Sequence, residues 1–315
     1  MAEAILKATR EGYSEALAEL GAANNRIVAL DADLSKSTGS AKFKKSFPER
    51  FFDAGVAEAN MIGIAAGLAY SGKISFASTF AVFATGRVYD QVRVSVAYAK
   101  ANVKIVGSHA GLSVGEDGAT HQALEDIALM RVLPNMKVIV PADFTEAKAA
   151  TKAAAEIEGP VYLRMARPKT RLLFDEKNYS FELGKSRTMC EGNDLAIVST
   201  GIVLEESLKA AEELQKKGIS AEVVNIASIK PLDEKKIIAL AKSFGAIVSV
   251  EDHSVIGGLG GAVAETVAEN YPCKVARIGV RDKFGESGTQ EELYEKYGLN
   301  AKAIVLAAEK IVKGK

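Results

Sequence analysis

The sequence predicts an α/β protein of two doubly wound domains with mostly parallel sheets, and three observations carry that expectation. Short, nearly all-apolar segments alternate with helix-length segments from end to end of the chain, the pattern of strands buried on both faces by helices. The chain has 315 residues, which at about 150 residues per domain suggests two domains. Apolar residues make up 48% and charged residues 25%, a mix able to bury a large core.

The elements follow in order. Ile5, Leu6 and Ala8 lie among Glu3, Lys7, Arg10 and Glu11, which reads as an amphipathic helix and not as a signal peptide. Strands are expected at 26–30, 74–78, 103–107, 137–140 and 161–164, and helices at 55–71, 83–101, 122–133 and 144–157. From Pro168 the character changes, with more charge and with Gly184 and Gly192. We divide the chain accordingly into a domain at 1–170, a connection at 171–191 with a short strand at 179–183, and a smaller domain at 192–315. In the second half, strands are expected at 195–199, 221–226, 246–250 and 274–278. Helices are expected at 204–217, 233–243, 260–270, 290–297 and 301–312. Pro231 followed by Asp233 is a helix-start signal for the second of these.

Composition excludes several classes. Forty basic and forty acidic side chains balance to a net charge of +0, whereas nucleic-acid and polybasic membrane binders need a basic excess. The longest apolar run, residues 61–70, is too short to span a bilayer. Two cysteines, Cys190 and Cys273, make neither a disulfide framework nor a zinc site alone. The expectation is a cytoplasmic enzyme or part of one.

Three segments carry chemistry. In residues 51–67 (FFDAGVAEANMIGIAAG), Glu58 opens an apolar, small-residue helix with no basic neighbour in view. It is either an acid favoured by the helix dipole or a carboxyl held in an apolar pocket with a raised pKa. In residues 78–83 (STFAVF), Phe80 and Phe83 sit where a strand gives way to a helix. They either fill core or wall a slot for a flat heterocycle beyond a strand's carboxyl end. Residues 108–122 (SHAGLSVGEDGATHQ) place His109 and His121 with Glu116 and Asp117 in a glycine-rich loop. The alternatives there are a solvated loop, a zinc site lacking further ligands, or groups that bind a hydroxylated, phosphorylated substrate and move protons. Residues 31–37 (DADLSKS) and Arg167 follow strands in the same way. With His109 they assemble the donors of a phosphate pocket. The glycine cluster 257–261 (GGLGG) does not meet the GxGxxG spacing and reads as close helix–strand packing, with Glu251, Asp252 and His253 at the strand end before it.

Taken together, these motifs resemble the transketolase family of thiamine diphosphate enzymes, in particular its pyrimidine-binding and C-terminal domains. The residues carrying the resemblance are ATR at 8–10, DADLSKS, GVAEANM at 55–61, STFAVF, His109 with GEDGATHQ at 115–122, and residues 165–167 before Pro168. In the second half, residues 251–261 and 284–288 carry it. The resemblance implies that Glu58 hydrogen-bonds the aminopyrimidine ring nitrogen of thiamine diphosphate. That bond favours the imino tautomer, whose nitrogen takes the thiazolium C2 proton and makes the ylid. Phe80 and Phe83 would wall the pyrimidine pocket. Arg10, Ser37, His109 and Arg167 would hold the sugar phosphate, and Asp117 and His121 would contact substrate hydroxyls, His121 also assisting proton transfer.

Two positions depart from the family pattern. Gly86 stands where the family often has a third pocket aromatic, with Tyr89 close by in sequence. The family's GDG motif for Mg²⁺ and the diphosphate is missing, since GD occurs nowhere in the chain. No metal ligand is therefore expected here. The resemblance implies a split transketolase whose C-terminal subunit, this chain, needs an N-terminal partner that carries the Mg²⁺ ligands. Two copies of each subunit, a heterotetramer, would transfer a two-carbon ketol unit between sugar phosphates, as in the pentose phosphate pathway. Half of a deoxyxylulose phosphate synthase-like enzyme ranks second, because YDQ at 89–91 suits it, and a 2-oxo acid dehydrogenase β subunit ranks third. A non-enzymatic scaffold or regulatory subunit that kept the fold is the alternative from another class.

Overall fold

The computed structural model describes residues 5–313; Glu3, part of the expected N-terminal helix, lies outside them. The first described element is a strand and not that helix. β1 (Leu6–Ala8) pairs antiparallel with residues 169–171, and only then does α1 (Thr9–Ala23) start. There follow β2 (Ile27–Asp31), α2 (Ser35–Thr38), α3 (Ala41–Ser46), β3 (Phe51–Asp53), α4 (Glu58–Tyr70) and β4 (Ile74–Phe80). Next, α5 (Tyr89–Gln91) is flanked by π-helical turns at Phe83–Arg87 and Val92–Tyr98. β5 (Val103–Ser108), a 3₁₀ segment at Leu112–Asp117, α6 (Asp126–Val132), β6 (Lys137–Ile139), α7 (Phe144–Glu156), β7 (Val161–Arg164) and β8 (Lys169–Arg171) complete the first half. The second half contains β9 (Arg187–Cys190), β10 (Leu195–Ser199), α8 (Leu204–Lys216), β11 (Ala221–Asn225), β12 (Ser228–Lys230) and α9 (Glu234–Phe244). It ends with β13 (Ala246–Ser254), α10 (Leu259–Asn270), β14 (Lys274–Val280), α11 (Gln290–Tyr297) and α12 (Ala301–Lys313).

Two mostly parallel sheets result, the predicted α/β class. The first has the order β12-β6-β7-β5-β4-β2-β3, parallel except for β12. The second has the order β14-β13-β10-β11-β9, parallel except for β9.

Three differences from the sequence expectation have physical reasons. The helix expected over 83–101 is broken, because the wide π turns stretch the repeat to about four residues. That repeat stacks Val88, Val92 and Val96 on one buried face. No strand forms at 179–183; the edge strand is β9, within the stretch expected to be connection, and it joins the second sheet. β12 comes from the second half yet extends the first sheet, with Ser228 opposite Ile139. Three residues before a proline carry too little periodicity to announce such a crossing.

The cores follow from these layers. One apolar cluster runs from Leu30 and Ile105 through Val138 and Val140 to Val198, Val224 and Ile226, joining the two halves. The second domain's cluster, around Leu195, Ile197, Val248 and Ile304, takes in Leu112 and Leu124 from the first. Each such leucine contributes about 1.5–3 kcal/mol when fully buried. On the other face of the first sheet, α1 lies against α7 at Gly12. A Cβ there would sit 2.3 Å from the Phe144 carbonyl oxygen. Among the described residues, no helix is long and apolar enough to cross a membrane.

Candidate active site

β2, β3, β4, β5 and β7 run parallel, so their carboxyl ends open on one edge of the first sheet, and the chain order reverses between β2 and β4. A crevice at such a reversal is where parallel sheets bind ligands. Every candidate from the sequence lies there. Ser37 follows β2, Glu58 follows β3, Phe80 ends β4, His109 follows β5 and Arg167 follows β7. Arg10 arrives from α1, because β1 pairs with β8 and the Ala166 amide donates to Thr9 Oγ1 at 2.8 Å.

The imidazole of His109 lies flat on Phe80, with ring centroids 4.0 Å apart and planes at 22°. Its φ of 55° is a left-handed conformation, uncommon for a residue with a side chain. Arg10 Nη1 lies 3.4 Å from Nε2 and 2.9 Å from the Ser37 carbonyl oxygen, while Nδ1 lies 2.8 Å from Ser108 Oγ. A guanidinium only donates, so Nε2 accepts and the ring proton sits on Nδ1. Burial, then the charges of Arg10, Arg167 and His121, pushes the His109 pKa down to about 3. The unfolded imidazole takes up its proton near pH 6.5, so the neutral folded ring costs stability as the pH falls below that value. In an NMR titration its ring signals should stay flat between about pH 5 and 8. A midpoint inside that window would contradict the geometry.

Glu58 is buried in the first turn of α4, but it has a partner that sequence spacing did not reveal. Arg87 Nη1 lies 3.4 Å from its carboxylate, and the same guanidinium covers the Phe83 ring at 4.2 Å. The expected absence of a basic neighbour is therefore corrected: Arg87 comes from a π turn 29 residues further on. Phe80 and Phe83 are nearly parallel, 14° apart in plane with centroids at 6.0 Å. His121 approaches Phe83 edge-on at 5.5 Å. Tyr89 does not supply the missing third aromatic, because its hydroxyl donates to the Leu129 carbonyl at 3.1 Å. Gly86 stays exposed, with nothing within 4 Å of where a Cβ would be.

The loop that follows β5 carries Asp117 and His121. Arg167 ties into it, donating to the Val114 carbonyl and to Glu116 at 2.9 Å, with Asp117 at 3.9 Å. Asp117 is exposed and His121 half-buried, its Nδ1 2.9 Å from Thr120 Oγ1. Asp31, which the sequence marked only as part of a motif, organises the β2 loop. Its buried carboxylate accepts from the Leu34 amide at 2.6 Å, from Thr38 Oγ1 at 2.7 Å and from Ser40 Oγ at 2.8 Å. Burial raises its pKa and these donors oppose the rise. Among the described residues, no group of three or more His, Cys, Asp or Glu is placed to hold a metal ion.

Comparison with known proteins gives this arrangement its context. Residues 6–171 match the family described as transketolase, pyrimidine binding domain, and residues 184–304 match transketolase, C-terminal domain. The chain belongs to the transketolase family. Among its family relatives, a Methanocaldococcus jannaschii protein named as a transketolase C-terminal section is 54% identical, with 95% of each chain covered. A 6-deoxy-6-sulfo-D-fructose transketolase subunit from a Clostridium species is 48% identical over 97% of this chain and 95% of its own. Among solved structures, a split gene transketolase described as an inactive β4 tetramer superposes with a TM-score of 0.91 at 53% identity. That match covers 97% of this chain and 98% of the other.

Proposed function

We propose that this chain is the C-terminal subunit of a split, thiamine diphosphate-dependent transketolase that moves a two-carbon ketol unit from a ketose phosphate to an aldose phosphate. The observation carrying this is the convergence on one sheet edge of a buried carboxyl, two parallel aromatic rings, a neutral imidazole and two arginines. A buried acid beside stacked rings fits a flat, hydrogen-bonding pyrimidine. Bound thiamine diphosphate supplies the carbanion chemistry. Glu58 holds a proton at the pyrimidine nitrogen, and Phe80 and Phe83 orient the ring and exclude water. Arg10, Ser37, His109 and Arg167 bind the sugar phosphate; Asp117 and His121 align its hydroxyls, with His121 moving protons.

The Mg²⁺ and diphosphate ligands belong, in this proposal, to an N-terminal partner subunit, because GD does not occur in the sequence. The names of the similar split gene structure and of the C-terminal section support such a division, and the β4 tetramer of the former supports self-association of this subunit; two copies of each subunit is the assembly we propose. The sulfofructose relative supports an anionic tail on the sugar as the common requirement. Mixing this chain with the N-terminal subunit and assaying ketol transfer between sugar phosphates tests the proposal; absence of transfer would refute it.

Within that assay Arg167→Ala should raise KM for phosphorylated sugars by about 10–100-fold, the range of a lost charge-assisted hydrogen bond. Unphosphorylated analogues should change far less. Equal losses for both would remove Arg167 from the phosphate pocket.

A further inference from the structure

The loop bearing Asp117 and His121 is held by the other domain. At the end of β13, the buried carboxylate of Asp252 receives two consecutive backbone amides of this loop, Leu112 N at 2.8 Å and Ser113 N at 3.2 Å. Amides at the start of a helical segment have no partner of their own within it, so here a side chain about 140 residues away in sequence supplies both. Tyr294 Oη donates to the same carboxylate at 3.1 Å. Gly111, with φ of 79°, leaves room for it: a Cβ would lie 2.3 Å from Asp252 Oδ2. The loop is flanked by Leu112 and Leu124, both inserted in the second domain's core. Near the loop's end Gln122 Nε2 donates to the Glu286 carbonyl at 2.9 Å.

We infer that Asp252 is a positioning residue. Acting through the Leu112 and Ser113 amides, it fixes the Leu112–Asp117 segment, so that Asp117 is held near Arg167 and His121 against the Phe83 ring. The second domain is thereby a structural part of the substrate site. This rests on the roles proposed above for Asp117 and His121. The carboxylate is suited to the task because both its oxygens accept, whereas an amide in its place turns an N–H donor toward a backbone N–H.

Asp252→Asn tests it in two arms. Hydrogen exchange on this chain should show protection at Leu112 and Ser113 falling by about tenfold or more, with α4 unchanged. Tyr294→Phe, which removes neither amide bond, should leave that protection in place. In the assembly with the N-terminal subunit, KM for the sugar phosphates should rise by about tenfold. Proton exchange at C2 of the bound cofactor, which depends on Glu58, should stay at the wild-type rate.

Unchanged protection in Asp252→Asn overturns the inference, as does lost protection with an unchanged KM. Loss of cofactor proton exchange in parallel with the KM effect would mark general damage to the fold and also overturns it. A wild-type assembly that transfers no ketol unit would refute the proposed activity instead, and the exchange arm would then decide the role of Asp252.

Discussion

Glu58→Gln should slow proton exchange at C2 of thiamine diphosphate, bound to the assembled subunits, by roughly 10²–10⁴-fold, the usual contribution of a positioned acid or base. The side chain is buried at the start of α4 and its ion-pair partner among the described residues, Arg87, lies half exposed at 3.4 Å. Glutamine keeps the volume and can still form a hydrogen bond, so the far-ultraviolet spectrum and the melting temperature should change little. What is lost is the ability to hold or release a proton. Exchange at the wild-type rate in a cofactor-loaded Glu58→Gln assembly would refute the assigned role.

Arg164→Leu should destabilise the chain by about 3–5 kcal/mol at neutral pH, the cost of breaking a buried ion pair on one side. Arg164 donates to Asp126 at 2.7 and 3.1 Å, to the Asp252 carbonyl at 2.9 Å and to the Ala123 carbonyl at 3.3 Å. Tyr162 Oη adds a 2.6 Å bond to the same aspartate. Burial alone would raise the Asp126 pKa; Arg164 reverses this and holds it below the ordinary carboxylate value. A depressed folded pKa stabilises above the unfolded value of about 3.9 and loses that contribution as the pH falls through the folded one. In the variant burial is opposed only by the weaker influences of His253 and the Tyr162 hydroxyl, so Asp126 takes up a proton earlier and tolerates its site better. The deficit seen in urea unfolding should therefore be largest near neutrality and shrink toward about pH 4. A deficit that stays constant with pH would show that lost packing, not the unpaired charge, causes it.

The sequence revealed most where the physics is local. Nearly all-apolar runs such as 195–199 and 161–164 became buried parallel strands, and Asp233 caps α9 by accepting from the Lys236 amide. The candidate residues could be drawn together from sequence because most lie in the segments that follow strand ends, where the parallel arrangement gathers them. Contacts between segments far apart in sequence were not legible. Neither Arg87 beside Glu58 nor Asp252 beneath Ser113 leaves any periodic trace, since each depends on how two distant segments pack. Glu251, Asp252 and His253 read as a plain strand end. In the structure Glu251 receives the Leu259 and Gly260 amides at 2.7 and 2.8 Å, Asp252 accepts from the Leu112 amide, and His253 lies 4.0 Å from Asp126. The π turns escaped notice because a four-residue valine spacing is also what a continuous helix would show.

The crossing of β12 into the first sheet has a mechanical consequence. Two lobes joined only by a connecting segment can swing about it as a hinge, as many two-domain enzymes do on closing over substrate. Here the backbone of residues 228–230 is hydrogen-bonded to β6, so rotation would have to tear a sheet apart. The two halves are thus tied through a shared sheet as well as through the connecting segment. In the proposed reaction, admission of sugar and release of product would then depend on the loops at the sheet's open edge or on a neighbouring subunit, not on a clamshell motion within this chain.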